Sequence, residues 1–307
     1  MGYYCRSAYS QYAGGGAQVY CRPFLNFAVG LFLFMSGMLS NVDQWNVKKR
    51  LKKVIIPYVI WTIIYVILYH ASQPMVIPKE FLKALFTGSA AAVMYYVFVY
   101  CELTILMPVI DKMISSKFKY LGFVISPIEI ILMRLIPLVS GHEVNKYLAI
   151  VMSLSCLGWF TYYYLGYALG NGFIKIEINH TVLIFMWFVT IFFQILEGYW
   201  YLKLGETNCG TQLKLSSILT GTIFVILIYK FIYSDNSVRV NVLKVLGDYS
   251  FGIYFAHLAV MTVLSKLSNY STVAIYPVNG VVAILVTFAL SFIGRKILGK
   301  YSGYLAL

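Results

Sequence analysis

Nine apolar runs, each close to the ~20 residues that a bilayer core demands, leave this chain few folds to choose from. They are Phe24–Leu39, Val54–Ala71, Ala91–Ile110, Leu121–Val139, Tyr147–Gly170, Thr181–Tyr201, Leu215–Tyr233, Tyr249–Leu267 and Val273–Ile293. A barrel is excluded, because its strands alternate lipid-facing and lumen-facing residues and these runs do not. Backbone groups in lipid must be satisfied within the segment, so the runs imply helices. The expected fold is an all-α, polytopic membrane bundle of about nine helices. It forms a single domain over 1–307, with 1–21 as a polar outer loop and 22–307 as the bundle. Proline interrupts several runs (Pro57, Pro127, Pro137, Pro277), mostly near their ends. Between the second and third runs, Lys79–Phe86 has the pattern of a short amphipathic helix lying at the interface.

Composition closes off the other classes. Apolar residues make up 60% of the chain and charged ones only 11%, against about a quarter in ordinary soluble domains. So thin a charged shell could not cover a soluble core of this length. The 27 Tyr, 21 Phe and 5 Trp suit a protein with two water–lipid boundaries to line. The net charge of +13, from 24 Lys and Arg against 11 Asp and Glu, is spread between apolar runs and not gathered in a patch. No nucleic-acid partner is expected; the lipid bilayer is. Five widely spaced cysteines (Cys5, Cys21, Cys101, Cys156, Cys209) read as free thiols. The four histidines stand far apart, so no metal site and no bound cofactor is expected.

Lysine and arginine set the orientation. They concentrate in one alternating set of gaps, 40–53, 111–120, 171–180, 234–248 and the tail after Ile293. That set is expected inside a cytoplasmic membrane, which puts residues 1–21 outside. Those residues carry no export signal of their own. The reading that reconciles the two is a preceding helix, absent from this sequence, that carried them outward.

Several residues invite a chemical role. Lys48, Lys49, Arg50, Lys52 and Lys53 run directly into the second span. Such a cluster anchors topology, and it can equally hold phosphates of a nucleotide-like donor. Glu102, Glu129 and Arg134 lie inside spans, where a charge is costly and marks either a functional site or polar glue between helices. Glu129 and Arg134, five residues apart, do not share a helical face. His257 lies eight residues into the eighth run, about 12 Å along the helix. Ser250, Tyr254 and His257 can share a face. His257 fits a satisfied packing residue, a group that orients a hydroxyl, or a proton acceptor.

Four segments together resemble the acyltransferase-3 family, multi-span bacterial enzymes that move acyl groups, usually acetyl, onto surface glycans. Phe27-Ala28-Val29-Gly30-Leu31-Phe32-Leu33-Phe34-Met35-Ser36-Gly37-Met38-Leu39 is similar to its F-A-V-P-L-F-F-x-x-S-G-F-L stretch, with Gly30 in place of proline. Lys49-Arg50-Leu51-Lys52-Lys53-Val54-Ile55-Ile56-Pro57-Tyr58-Val59-Ile60-Trp61 resembles K-R-x-x-R-I-x-x-P-Y-x-x-W. Tyr95-Tyr96-Val97 through Pro108 resembles the central Y-Y-x…L-x-P span, and Ser250–His257 the late S-x-G-I-Y-x-x-H span. The resemblance implies O-acyl transfer from acyl-CoA, as donor substrate, to a hydroxyl of a surface carbohydrate or lipid-linked sugar. It implies Lys49, Arg50, Lys52 and Lys53 as the acyl-CoA clamp. His257 would be the catalytic candidate, and Tyr58, Trp61, Glu102, Arg134, Ser250 and Tyr254 would line the substrate path. The family carries an Arg and a base His on its first helix, and residues 1–21 contain no His. His257 therefore reads as a supporting residue or as the base itself, and the chain as given is expected to bind donor without turning over. The alternatives are a glycan or lipid transporter, with Glu102, Glu129 and Arg134 along its path, and a catalytically inactive remnant.

Overall fold

The structure, a computed structural model, describes residues 19–139, 146–204, 209–234, 238–267 and 278–307. Among these residues the chain is helical and holds no strand, the all-α bundle that the apolar runs require. The helices are α1 (Ala28–Met38), α2 (Val47–His70), α3 (Ile77–Thr87), α4 (Tyr95–Ile114), α5 (Ile125–Val139), α6 (Lys146–Leu154), α7 (Phe160–Gly170), α8 (His180–Lys203), α9 (Leu215–Ser234), α10 (Val238–Leu264) and α11 (Val278–Leu298). Four helical stretches of the described residues are long and apolar enough to cross a bilayer: Val19–Met38, Val47–His70, His180–Lys203 and Val278–Leu305. On α8, Phe185, Phe188, Phe192 and Phe193 stay exposed. A row of exposed phenylalanines this long is what a lipid-facing surface presents.

Three boundaries differ from the sequence reading. Helix already begins at Val19, so residues 19–21 are not part of a polar loop, and Val19 is buried. Residues 1–18 of that loop, and the outward N-terminus built on them, lie outside the described residues. The fifth run is not one helix: α6 stops at Leu154, a 3-10 turn covers Leu157–Trp159, and α7 begins at Phe160. Side-chain acceptors take over the backbone donors at this break. Glu102 Oε2 accepts from Cys156 N at 2.7 Å, Ser155 Oγ from Leu157 N at 3.2 Å, and Ser126 Oγ from Thr161 N at 2.9 Å. Hydropathy could not reveal it, since the break is as apolar as the helices. The eighth run begins at Val238, well before Tyr249, because a helix continues past the point where its sequence turns polar. The short helix expected around Lys79–Phe86 is present as α3, ended by Gly88 at φ +63°, a left-handed conformation that glycine takes without a Cβ penalty.

Two compact units emerge, Asn46–Phe98 with Asn236–Leu307 and Gly2–Trp45 with Val99–Asp235. At the centre of the second lies α7, buried on every side from Phe160 to Leu169. An all-round apolar helix belongs in such a position, yet this one carries four tyrosines whose hydroxyls need partners. Tyr163 meets Ser40 Oγ at 3.0 Å, Tyr164 donates to Lys119 O at 2.6 Å, and Tyr167 donates to Asp111 Oδ1 at 2.6 Å. The fourth, Tyr162, reaches Ser217 O at 3.3 Å. Against α7, α1 packs backbone to backbone: a methyl on Gly37 would overlap the Tyr163 carbonyl, and one on Gly166 the Phe34 carbonyl. Small residues at such crossings let membrane helices approach closely enough for dispersion to hold them.

Substituting Gly166→Ala should therefore push α1 and α7 apart. The expected loss is about 1–3 kcal/mol, the usual cost of overpacking, seen as a lower unfolding temperature in detergent. Exposed Gly172, with nothing within 4 Å of an added Cβ, has no such overlap; its positive φ of 73° makes Gly172→Asn the control that should leave the unfolding temperature nearly unchanged.

Candidate functional site

In the first unit, α2 presents one face to an open recess of about 240 Å³. Lys49, Lys52, Lys53, Ile56 and Pro57 line it from α2, at the i, i+3, i+4, i+7, i+8 spacing of a single helical face. Opposite them stand Lys300, Gly303 and Tyr304, from the 3-10 segment Gly299–Leu305 that follows α11. Among the described residues the ion pair present is Lys83–Glu80, on α3, so the four recess lysines have no carboxylate within salt-bridge reach. The helix itself sharpens the positive potential. Asn46 caps α2 by accepting from Lys49 N at 2.9 Å, and no acidic residue stands in the first turn. A helix N-terminus favours anions and disfavours cations. Of the recess lysines Lys49 stands in that first turn, and Lys52 and Lys53 follow one turn on; their mutual repulsion is relieved when an anion enters.

The sequence cluster thus divides. Lys49, Lys52 and Lys53 share the recess, whereas Arg50 falls off that face and Lys48 precedes it. Helical spacing alone would have made this division. Lys300 was missed, because nothing in the sequence near it indicates that it faces residues 49–57. Both basic segments line this one recess.

Deeper in the same unit α10 carries His257. Its Nδ1 lies 3.0 Å from Ile253 O. A carbonyl only accepts, so Nδ1 carries the proton and Nε2 keeps its lone pair for a donor. The Tyr254 ring centroid is 6.2 Å away, and the Tyr254 hydroxyl donates to Val93 O. Ser250 Oγ is turned back to Gly247 O at 2.7 Å. From α2, Tyr65 enters the α10 ladder beside His257. Its hydroxyl donates to Phe255 O at 2.6 Å and accepts from Ala259 N at 3.1 Å. Those are an amide and the carbonyl four residues before it, so Tyr65 clamps one turn of the continuous helix α10. Tyr65 lies eight residues past Pro57, about 12 Å further along α2. His257, between Phe255 and Ala259, is therefore about that far below the recess. Trp61 is stacked on Phe255 with ring planes 3° apart. It donates from Nε1 to Leu305 O at 3.1 Å. Tyr58 donates to Ala84 O and Leu85 O at 3.1 and 2.8 Å, fixing the end of α3. Tyr58 and Trp61 thus hold backbone in place here.

Residues 5–295 match the pattern of the acyltransferase-3 family, described as an acyltransferase domain. The chain belongs to this family. It is a membrane acyltransferase of that general kind, and no curated protein or solved structure matches it.

The acyltransferase-3 chain places its remaining candidates in the second unit. Glu102 lies beside the α6–α7 break described above, at a groove of about 390 Å³ lined by Ile105, Leu106, Ser155, Cys156 and Leu157. Arg134 donates to Leu213 O at 3.3 Å and lies 4.6 Å over the Tyr201 ring. Both spend polar atoms on backbone carbonyls or amides, which is what glue between helices does. Close by is a buried polar cluster that the sequence reading passed over. Glu197 accepts from Tyr201 Oη at 3.1 Å and from the amide and hydroxyl of Ser216. Lys214, only 1% exposed, donates to Gln194 O and Cys209 O, each at 3.1 Å. It lies just outside an apolar run, where a lysine looks like an ordinary loop residue.

Burial pushes the Lys214 ammonium down to about 8 from 10.5, against the opposing attraction of Glu197. The folded state therefore favours the neutral amine. Between those two values the unfolded chain binds a proton that the folded chain does not, so stability rises with pH. As pH rises from about 8 to 10.5, the unfolding temperature of the wild type should gain on that of Lys214→Met. Parallel curves would mean that Lys214 stays charged when folded.

Proposed function

We propose that the chain is a membrane O-acyltransferase that moves an acyl group from acyl-CoA to a hydroxyl of a surface carbohydrate, in the cytoplasmic membrane. The observation that carries this reading is the lysine recess with His257 deeper in the same unit. Lys49, Lys52 and Lys53 hold the donor's phosphates at the membrane surface, and the pantetheine arm extends along α2 toward the level of Tyr65. The acceptor hydroxyl meets Nε2 of His257. Its oxygen attacks the thioester carbonyl carbon, a C–O bond forms, the C–S bond breaks, and the hydroxyl proton passes by way of Nε2 to the departing CoA thiolate. Tyr65 is a positioning residue that fixes the turn on which His257 stands. The transporter reading placed Glu102, Glu129 and Arg134 along a substrate path; Glu102 accepts from the Cys156 amide and Arg134 donates to the Leu213 carbonyl, and no observation favours that path.

Removing two phosphate contacts with Lys52→Gln and Lys53→Gln should raise the Kd for acetyl-CoA about tenfold or more, most strongly at low salt, since each charge-assisted contact is worth roughly 1.5–3 kcal/mol. Arg50→Gln, off the recess face, should change it little. An unchanged Kd in the correctly inserted double variant would return the cluster to a topology anchor. In a preparation that transfers acetyl groups, His257→Ala should lower kcat by about 10²–10⁴-fold, the usual contribution of a positioned base, with the KM for donor nearly unchanged.

A further inference from the structure

The wall of the recess opposite α2 is unexplained by the donor clamp as the sequence describes it. Segment Gly299–Leu305 could have ended free in solvent. Instead it is tied to the bundle at a defined place. The Trp61 indole donates to Leu305 O at 3.1 Å, Leu307 N closes the segment on itself through Ser302 O at 3.1 Å, and just before the segment Arg295 of α11 donates to Asp248 O at 2.8 Å while lying 4.0 Å over the Tyr249 ring. A side chain on Gly252 would meet the Ala306 carbonyl. These ties bring Lys300 and Tyr304 across from Lys49, Lys52 and Lys53. Lys300 is exposed, its ammonium 5.2 Å over the Tyr301 ring.

The charges on the two walls are unequal. Three lysines within about one turn of α2 suit a diphosphate, whose two charged groups are adjacent. A single lysine on the facing wall suits a separate phosphate. Coenzyme A carries that combination, a diphosphate and a ribose 3′-phosphate on the same nucleotide. The recess has room for about eight waters, enough for these groups and the ribose between them. Tyr304, half exposed at the rim, offers a flat face for the ribose or base.

Building on the acyl-CoA reading above, we propose that residues 299–305 are the second wall of the donor site, with Lys300 the ligand of the 3′-phosphate and Trp61 the positioning residue that holds the wall in place. Lys300 then discriminates CoA from donors that lack this phosphate, a selectivity that the α2 lysines alone do not supply.

The test is CoA and dephospho-CoA binding to the full chain in nanodiscs of zwitterionic lipid. Lys300→Gln should weaken CoA binding about tenfold and leave dephospho-CoA binding unchanged, while Lys300→Arg retains CoA affinity. Lys53→Gln should weaken both ligands. Trp61→Phe, which keeps the ring and removes the N–H, should weaken CoA binding in the same selective way but less. An unfolding temperature matched to wild type keeps each comparison one of binding. If CoA binds and Lys53→Gln weakens it but Lys300→Gln does not, the second wall is wrong and the clamp stands. The same result is expected if lipid phosphate, not donor, is the natural occupant opposite Lys300. Equal losses for CoA and dephospho-CoA in Lys300→Gln would also overturn the 3′-phosphate assignment. Failure of the wild type to bind CoA at all would remove the donor reading itself.

Discussion

A tyrosine hydroxyl donated to a main-chain carbonyl is the contact on which both units depend. In lipid a polar group without an internal partner costs several kcal/mol, so a phenol that enters the bundle must end on an acceptor. Tyr58 ends on the last turn of α3, Tyr65 on the Phe255 carbonyl, Tyr164 on Lys119 O and Tyr162 on Ser217 O. Each bond ties one helix to the backbone of another element, at a point where helical pairing is complete or broken. That is why the chain can spend so many tyrosines inside without losing its apolar character. It also explains the shape of the site. Tyr65 holds both ends of one helical turn of α10, the turn that bears His257.

The same economy separates the charged residues into two kinds. Arg134, Glu102, Glu197 and Lys214 are paired with backbone or hydroxyl groups close at hand. Their polar atoms are satisfied locally, and they hold helices together. The recess lysines have no carboxylate in reach among the described residues and stand close enough to repel one another, Lys49 also against the helix start. Unfavourable charge kept at the surface of a membrane bundle points to a ligand that relieves it. The acyl-CoA proposed above would be such a ligand, its nucleotide taking no part in the chemistry and serving to place the thioester.

Much of this was legible in the sequence. Helix positions followed from run length, because the bilayer sets that length, and α3 followed from its amphipathic pattern. Local spacing singles out the basic cluster, His257 and Tyr254 as candidates, and four ordered segments point to the family that the match over residues 5–295 shows. The remainder depends on contacts distant in sequence. The α6–α7 break is made by Glu102, whose partner amide is that of Cys156. Tyr65 acts on a carbonyl 190 positions away, and Trp61, read as a substrate-lining ring, anchors Leu305 from 244 positions away. Lys300 belongs to the recess only because that anchor exists. Arg50, by contrast, was separable from its neighbours by helical geometry alone, had the cluster been read as a face.

The central claim is that the nucleotide of the donor sits between the start of α2 and segment 299–305. Photolabelling with an azido-adenine CoA, followed by peptide mapping, tests this most directly. CoA-protected labelling is expected only on peptides covering residues 46–57 and 299–307. Protected labelling on α5 to α9 instead would contradict it.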